Sequence, residues 1–96
     1  MNEKGVILSK LKAVKGELAT RYRVRSLALF GSYARNEQTS SSDVDILVDV
    51  DPAIGLAFID LADYLEHLLG THVDLVSSRA VKPAYREKIE ADLMYV

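Results

Sequence analysis

Three aspartates and one glycine turn are the residues of this chain whose types and spacing could do chemistry. Gly31-Ser32 follows the apolar run Leu27-Ala-Leu-Phe30, and after ten further residues Asp43-Val-Asp45 opens a second apolar run, Ile46-Leu-Val48. On a strand, side chains two apart project from one face, about 7 Å apart along the backbone, so Asp43 and Asp45 share a face while Val44, Ile46, Val48 and Val50 share the other. A third acid, Asp74, lies within the later apolar segment Thr71-His-Val-Asp-Leu-Val-Ser77. Carboxylates brought to one point repel; at an effective dielectric of ~20, each pair at ~4 Å costs about 4 kcal/mol. A divalent cation reverses the sign of that interaction. Ligation by oxygen alone suits Mg²⁺, with Mn²⁺ as a substitute. A glycine turn leading into a helix offers backbone N–H groups that suit a phosphate. Phosphate-binding amides beside paired carboxylates suggest a site for a nucleotide and a metal, where phosphoryl or nucleotidyl transfer proceeds by positioning and charge neutralisation. In that chemistry Asp43 and Asp45 bind metal. Asp74 completes the site and eases deprotonation of the acceptor hydroxyl. Gly31 lets the backbone approach a triphosphate, and Ser32 hydrogen-bonds it.

The elements that must hold these residues follow from periodicity. Ile7, Leu11, Val14 and Leu18 mark an amphipathic helix over 5–22, with Arg21, Arg23 and Arg25 clustered at its exit as a solvated edge. Strands are expected at 25–30, 43–50 and 71–77, and a short last one at 93–96. Ser32–Arg35 should form a turn or two of helix ending near Asn36, which tolerates a left-handed backbone. Residues 37–42 read as a polar loop. Asp51-Pro52 ends the second strand, and residues 54–69 form a second amphipathic helix stopped by Gly70. His67, on that helix, reads as a surface residue. A loop over 78–82 leads to a helix at 84–91 begun by Pro83. Taken alone, Asp74 reads equally well as an exposed edge residue; buried in its strand it would be costly without a partner, and a metal shared with Asp43 and Asp45 would supply one.

Ninety-six residues, 49% apolar and 27% charged, suit one globular domain (1–96) without a second substrate-binding lobe. The fold class is α/β (α+β): a small mixed sheet of three to four strands with helices packed on it. A net charge of −2 provides no general basic field, so no direct nucleic-acid partner is expected. Without cysteine there are neither disulfides nor thiolate metal sites. With no membrane-length apolar run and no secretory pattern at its start, a cytoplasmic protein is expected.

Leu29-Phe-Gly-Ser-Tyr-Ala-Arg35 with Ser42-Asp-Val-Asp-Ile-Leu-Val48 and the later Val73-Asp-Leu-Val76 resembles the DNA polymerase beta-like nucleotidyltransferases. More narrowly it resembles the minimal nucleotidyltransferase antitoxins, over nearly the whole chain. The resemblance implies a mixed sheet with helices on one side, Asp43 and Asp45 as metal ligands, Asp74 as the third acid, and Gly31 and Ser32 on the triphosphate of ATP. It also implies a partner: a helical HEPN-type ribonuclease toxin, silenced by AMP placed on one of its tyrosines. The missing lobe agrees, since another protein must then bring the acceptor, in a hetero-oligomer or alongside self-association. Two positions depart from the family pattern: Asn36 and Arg23 stand where glycine is frequent. Arg35, Lys82 and Arg86 are candidates for triphosphate contact, with surface charge the simpler account of the last two. Two other readings stand beside this one. One is a binding module that neutralises its partner by contact; the other is a catalytic subunit acting on a small-molecule acceptor.

Overall fold

The computed structural model describes residues 3–96. Helix α1 (Glu3–Tyr22) leads into strand β1 (Val24–Phe30), a single helical turn α2 (Gly31–Ala34) and strand β2 (Val44–Val50). A 3₁₀ turn at Pro52–Ile54 precedes helix α3 (Ala57–Leu69) and strand β3 (Val73–Ser77). A second 3₁₀ turn at Ser78–Ala80, helix α4 (Pro83–Glu90) and strand β4 (Met94–Tyr95) complete the described chain. The four strands form one mixed sheet in the order β3-β2-β1-β4. β1 runs antiparallel to both β2 and β4, whereas β3 lies parallel to β2. A parallel pair needs a crossover, and α3 supplies it.

The alternation in β2 sorts the sheet into two faces. Val44, Ile46, Val48 and Val50 are buried and join Leu27, Leu29 and Val73 under α1 and α3, whose Ile7, Leu11, Leu18, Leu61 and Leu65 complete the main core. Each such leucine, fully removed from water, contributes roughly 2 kcal/mol. The other face is not bare, as helices on one side alone would require. There Phe30 and Leu47 pack against Ile89 of α4, with Val76, Val81 and Leu93 around them. The apolar side chains of Phe30, Leu47 and Val76 on the sheet's second face are the reason a helix settles there.

Element boundaries differ from expectation at turns. β2 begins at Val44, so Asp43 stands just ahead of the strand. α3 begins at Ala57 because Asp51, whose Oδ1 accepts the Ala53 N–H at 2.9 Å, caps a separate 3₁₀ turn first. The expected loop at 78–82 contains the other 3₁₀ turn. Among the described residues, no helix is long and apolar enough to cross a membrane.

Both departures from the family's glycines fall where a glycine would be at ease. Arg23 (φ 57°) ends α1 and Asn36 (φ 58°) ends α2, each in the left-handed region. At Asn36 the closure is a Schellman pattern, with Asn36 N–H to Tyr33 O at 3.3 Å and Glu37 N–H to Ser32 O at 2.8 Å. A left-handed arginine costs about 1–2 kcal/mol, against the roughly 0.5–1 kcal/mol of extra chain entropy that glycine loses on folding. The Arg23–Asp51 pair at 3.3 Å is exposed on the arginine side and contributes little. Arg23→Gly is therefore expected to raise the melting temperature by roughly 2–4 °C. Asn36→Gly should change it less, because asparagine already tolerates the conformation, and Asn36→Ala should lower it. Thermal melts followed by circular dichroism measure all three.

Candidate active site

β1 delivers the chain to Gly31 at its end, and the antiparallel register sets Phe30 opposite Asp45 on β2. Gly31 takes φ +75°, a conformation side chains resist, and this turns the backbone at once into α2. Its missing side chain matters as much as its φ. A Cβ built there would stand 2.1 Å from Asp45 Oδ2, so the carboxylate lies directly against the glycine backbone. Ser32, half-buried, is the second residue of α2, and its carbonyl is taken by Glu37.

On the other side of β2 the parallel register places Asp45 opposite Asp74, with Val44 opposite Val73. Asp45 and Asp74 thus point to the same face, the one away from α1 and α3, close enough for a protonated Asp45 to donate a hydrogen bond to Asp74. Burial, then the charge of Asp74, then that hydrogen bond, then the charge of Asp43 push the Asp45 carboxyl up to about 6; Arg35 opposes them weakly. Asp74 is exposed, because β3 is an edge strand. The expected penalty for burying it does not arise, and no metal is required to rescue it. Asp43 is turned aside: its Oδ1 lies 3.2 Å from His72 Nδ1. Lying ahead of the ladder, it is not held by strand pairing. Among the described residues no three acidic or histidine side chains already form a metal cage. The donor set nevertheless fits a hard cation. It consists of oxygen alone, and Asp45, raised first by burial, also feels the negative charges of Asp74 and Asp43.

Arg35 caps α2, its N–H bonding Gly31 O at 3.1 Å. Its guanidinium donates to Asp92 Oδ2 at 2.6 Å and Glu37 Oε2 at 3.2 Å, contacts that hold it still more firmly protonated, Asp92 first. Arg35 is thereby fastened to the end of α4, close enough to Asp45 to act on its charge. Arg86 donates to Ser78 O at 3.5 Å, and Lys82 is an exposed residue at the start of α4. Two participants were not singled out from sequence as part of the site. Asp92 has no local signal. His72 had one, the same two-residue spacing from Asp74 that joins Asp43 to Asp45.

Asp74 is exposed, Asp45 half-buried, and the Asp43 and His72 side chains are 50% and 70% exposed. A groove of about 550 Å³, lined by Arg21, Tyr22, Asp60 and Tyr64, belongs to the layer of α1 and α3, behind the sheet.

Paired acids on parallel strands, set against a glycine turn, define the class as nucleotide-handling transferases. The profile of the nucleotidyltransferase domain matches residues 11–95, and the chain belongs to that family. The protein adenylyltransferase MntA of Thermococcus cleftensis is 46% identical over 92 residues, covering 94% of this chain and 92% of that one. A Methanocaldococcus jannaschii protein, provisionally named a protein adenylyltransferase, is 52% identical over 92 residues, covering 94% of this chain and 91% of its own. Among solved structures, one provisionally described as a minimal nucleotidyltransferase superposes with a TM-score of 0.79 at 32% identity, over 98% of this chain and 95% of that one. A toxin–antitoxin structure with AMP-PNP gives 0.71 at 28% identity, over 90% of this chain and 70% of that one. The resemblance drawn from the Gly31-Ser32 and Asp43–Asp45 motifs is borne out.

Proposed function

We propose that this chain is the antitoxin of a two-protein system and transfers AMP from ATP to a tyrosine of a HEPN-type ribonuclease toxin. The observation that carries the reading is the Asp45–Asp74 pair across β2 and β3, with Asp45 lying on the Gly31 backbone. The relative named protein adenylyltransferase MntA and the toxin–antitoxin neighbour with AMP-PNP support the substrate and the partner.

In this reading Asp43, Asp45 and Asp74 hold Mg²⁺, or Mn²⁺ in its place. Bound there, the cation neutralises charge on the phosphates and favours the ionised acceptor. The chain's own residues do the rest. Gly31 admits the triphosphate to the backbone, and the Ser32 hydroxyl and Arg35 contact it. The tyrosine Oη forms a bond to the α-phosphorus as the bond from that phosphorus to the bridging oxygen breaks. Pyrophosphate leaves with the electron pair, and the phenolic proton passes to the exposed Asp74 carboxylate and on to water. Asp74 suits that task because it lies on the solvent side of the pair. Asp43 and Asp74 are exposed, which leaves the acids open to a tyrosine brought by the partner.

The test is incubation with the co-encoded helical partner, ATP and Mg²⁺, followed by intact-mass measurement. One AMP should appear on the partner, and none with Asp43→Asn or Asp45→Asn. If those variants still silence the toxin as well as the parent chain does, neutralisation is by contact and transfer is not the mechanism.

A further inference from the structure

We infer that His72, braced by Glu66, is a positioning residue for the Asp43 carboxylate; the inference rests on Asp43 being a metal ligand as proposed above. The register that sets Val44 opposite Val73 sets Asp43 beside His72 one step earlier, and the Val44 N–H bonds His72 O at 3.0 Å. The histidine main chain is thus fixed to β2 next to the one acid that strand pairing does not hold. His72 Nδ1 is 3.2 Å from Asp43 Oδ1, and the ring's far nitrogen, Nε2, is 3.5 Å from Glu66 Oε2. Glu66 is itself anchored: Oε2 accepts the Val73 N–H at 2.9 Å, tying the last turns of α3 to the start of β3.

A line of contacts therefore runs from helix α3 through the imidazole to Asp43. It engages Oδ1 of that carboxylate and leaves Oδ2 without a partner among the described residues. An aspartate ahead of its strand samples several rotamers, and ordering it on cation binding carries an entropic cost. A neighbour that restricts the carboxylate beforehand lowers that cost. Loss of such outer contacts typically weakens metal binding 10- to 100-fold. The bridge is exposed, so it contributes little to folding, and metal affinity can be read apart from stability.

The experiment titrates Mn²⁺ alone into the full chain, counting free ion by electron paramagnetic resonance, with melts of each variant alongside. His72→Ala should weaken Mn²⁺ binding about tenfold, the low end for an outer contact, with a melting temperature within about 2 °C of the parent. His72→Asn keeps an N–H near the Nδ1 position and should recover most of the loss. Glu66→Gln, which still accepts the Val73 N–H, should weaken binding about threefold in the parent and not at all in His72→Ala, since it acts through the ring. Asp43→Asn distinguishes the two ways of failing. If it loses Mn²⁺ while His72→Ala binds as the parent does, the positioning role is overturned and the metal site stands. If Asp43→Asn binds as the parent does, both fall together.

Discussion

Gly31→Ala should reduce AMP transfer at least about 10²-fold while leaving a folded protein. The added Cβ would stand 2.1 Å from Asp45 Oδ2 and 3.0 Å from its Cγ, so the carboxylate must swing off the glycine and out of line with Asp74. A displacement of an ångström in a reacting constellation is enough for a 10²-fold loss. The φ of +75° adds about 1–2 kcal/mol of backbone strain for any L side chain. The melting temperature should therefore fall by roughly 5–10 °C without loss of cooperative unfolding. Transfer is measured by intact mass on the partner and folding by circular dichroism. An alanine variant that transfers at the parental rate would show that Asp45 is not needed against the turn.

Asp45→Asn should have opposite effects on activity and on stability. Removing one charge from the acidic face is expected to cut transfer by at least about 10²–10³-fold, the scale seen when a single stabilising group at a developing charge is lost. Without metal, the same change should make the fold more stable at neutral pH. The Asp45 carboxyl is raised from 3.8 to about 6 in the folded chain, mainly by burial and by Asp74. The folded state thus binds this proton more tightly than the unfolded state. The associated stability is fully present below about 4 and is lost as pH rises through about 6. Half-exposure weakens the effect, so about 1 kcal/mol is expected rather than the full value of the shift. Urea unfolding in chelator at pH 4.5 and pH 7.5 should show the parent losing that contribution between the two, and Asp45→Asn keeping it. Equal pH dependence in both proteins would mean that Asp45 is not the strained acid.

Much of this was legible in the chain itself because period and chemistry agreed. The alternation Val44, Ile46, Val48, Val50 fixed which way Asp45 points, and the same logic in Val73-Asp-Leu-Val76 set Asp74 on that side. Gly31 after an apolar strand announced a turn, and the family resemblance rested on those same residues. What sequence could not show was long-range. Nothing near Arg35 signals Asp92, because that pair forms only once α4 lies across the sheet. The cluster of Phe30, Leu47 and Ile89 likewise depends on a helix returning to a face that periodicity assigns to the acids. Whether Asp74 is buried or exposed stayed open because a short apolar strand reads alike at the centre of a sheet and at its edge. The left-handed backbone at Arg23 was signalled by the family's frequent glycine there and not by the arginine itself.

The exposure of Asp43 and Asp74 has a consequence for selectivity. A catalytic surface that any passing hydroxyl can reach is unable to choose among nucleophiles by shape, so discrimination must reside in whatever docks. Divergence of such pairs would then be driven from the docking side. A nucleotidyltransferase of this build should remain chemically competent while being retargeted by changes at its periphery alone.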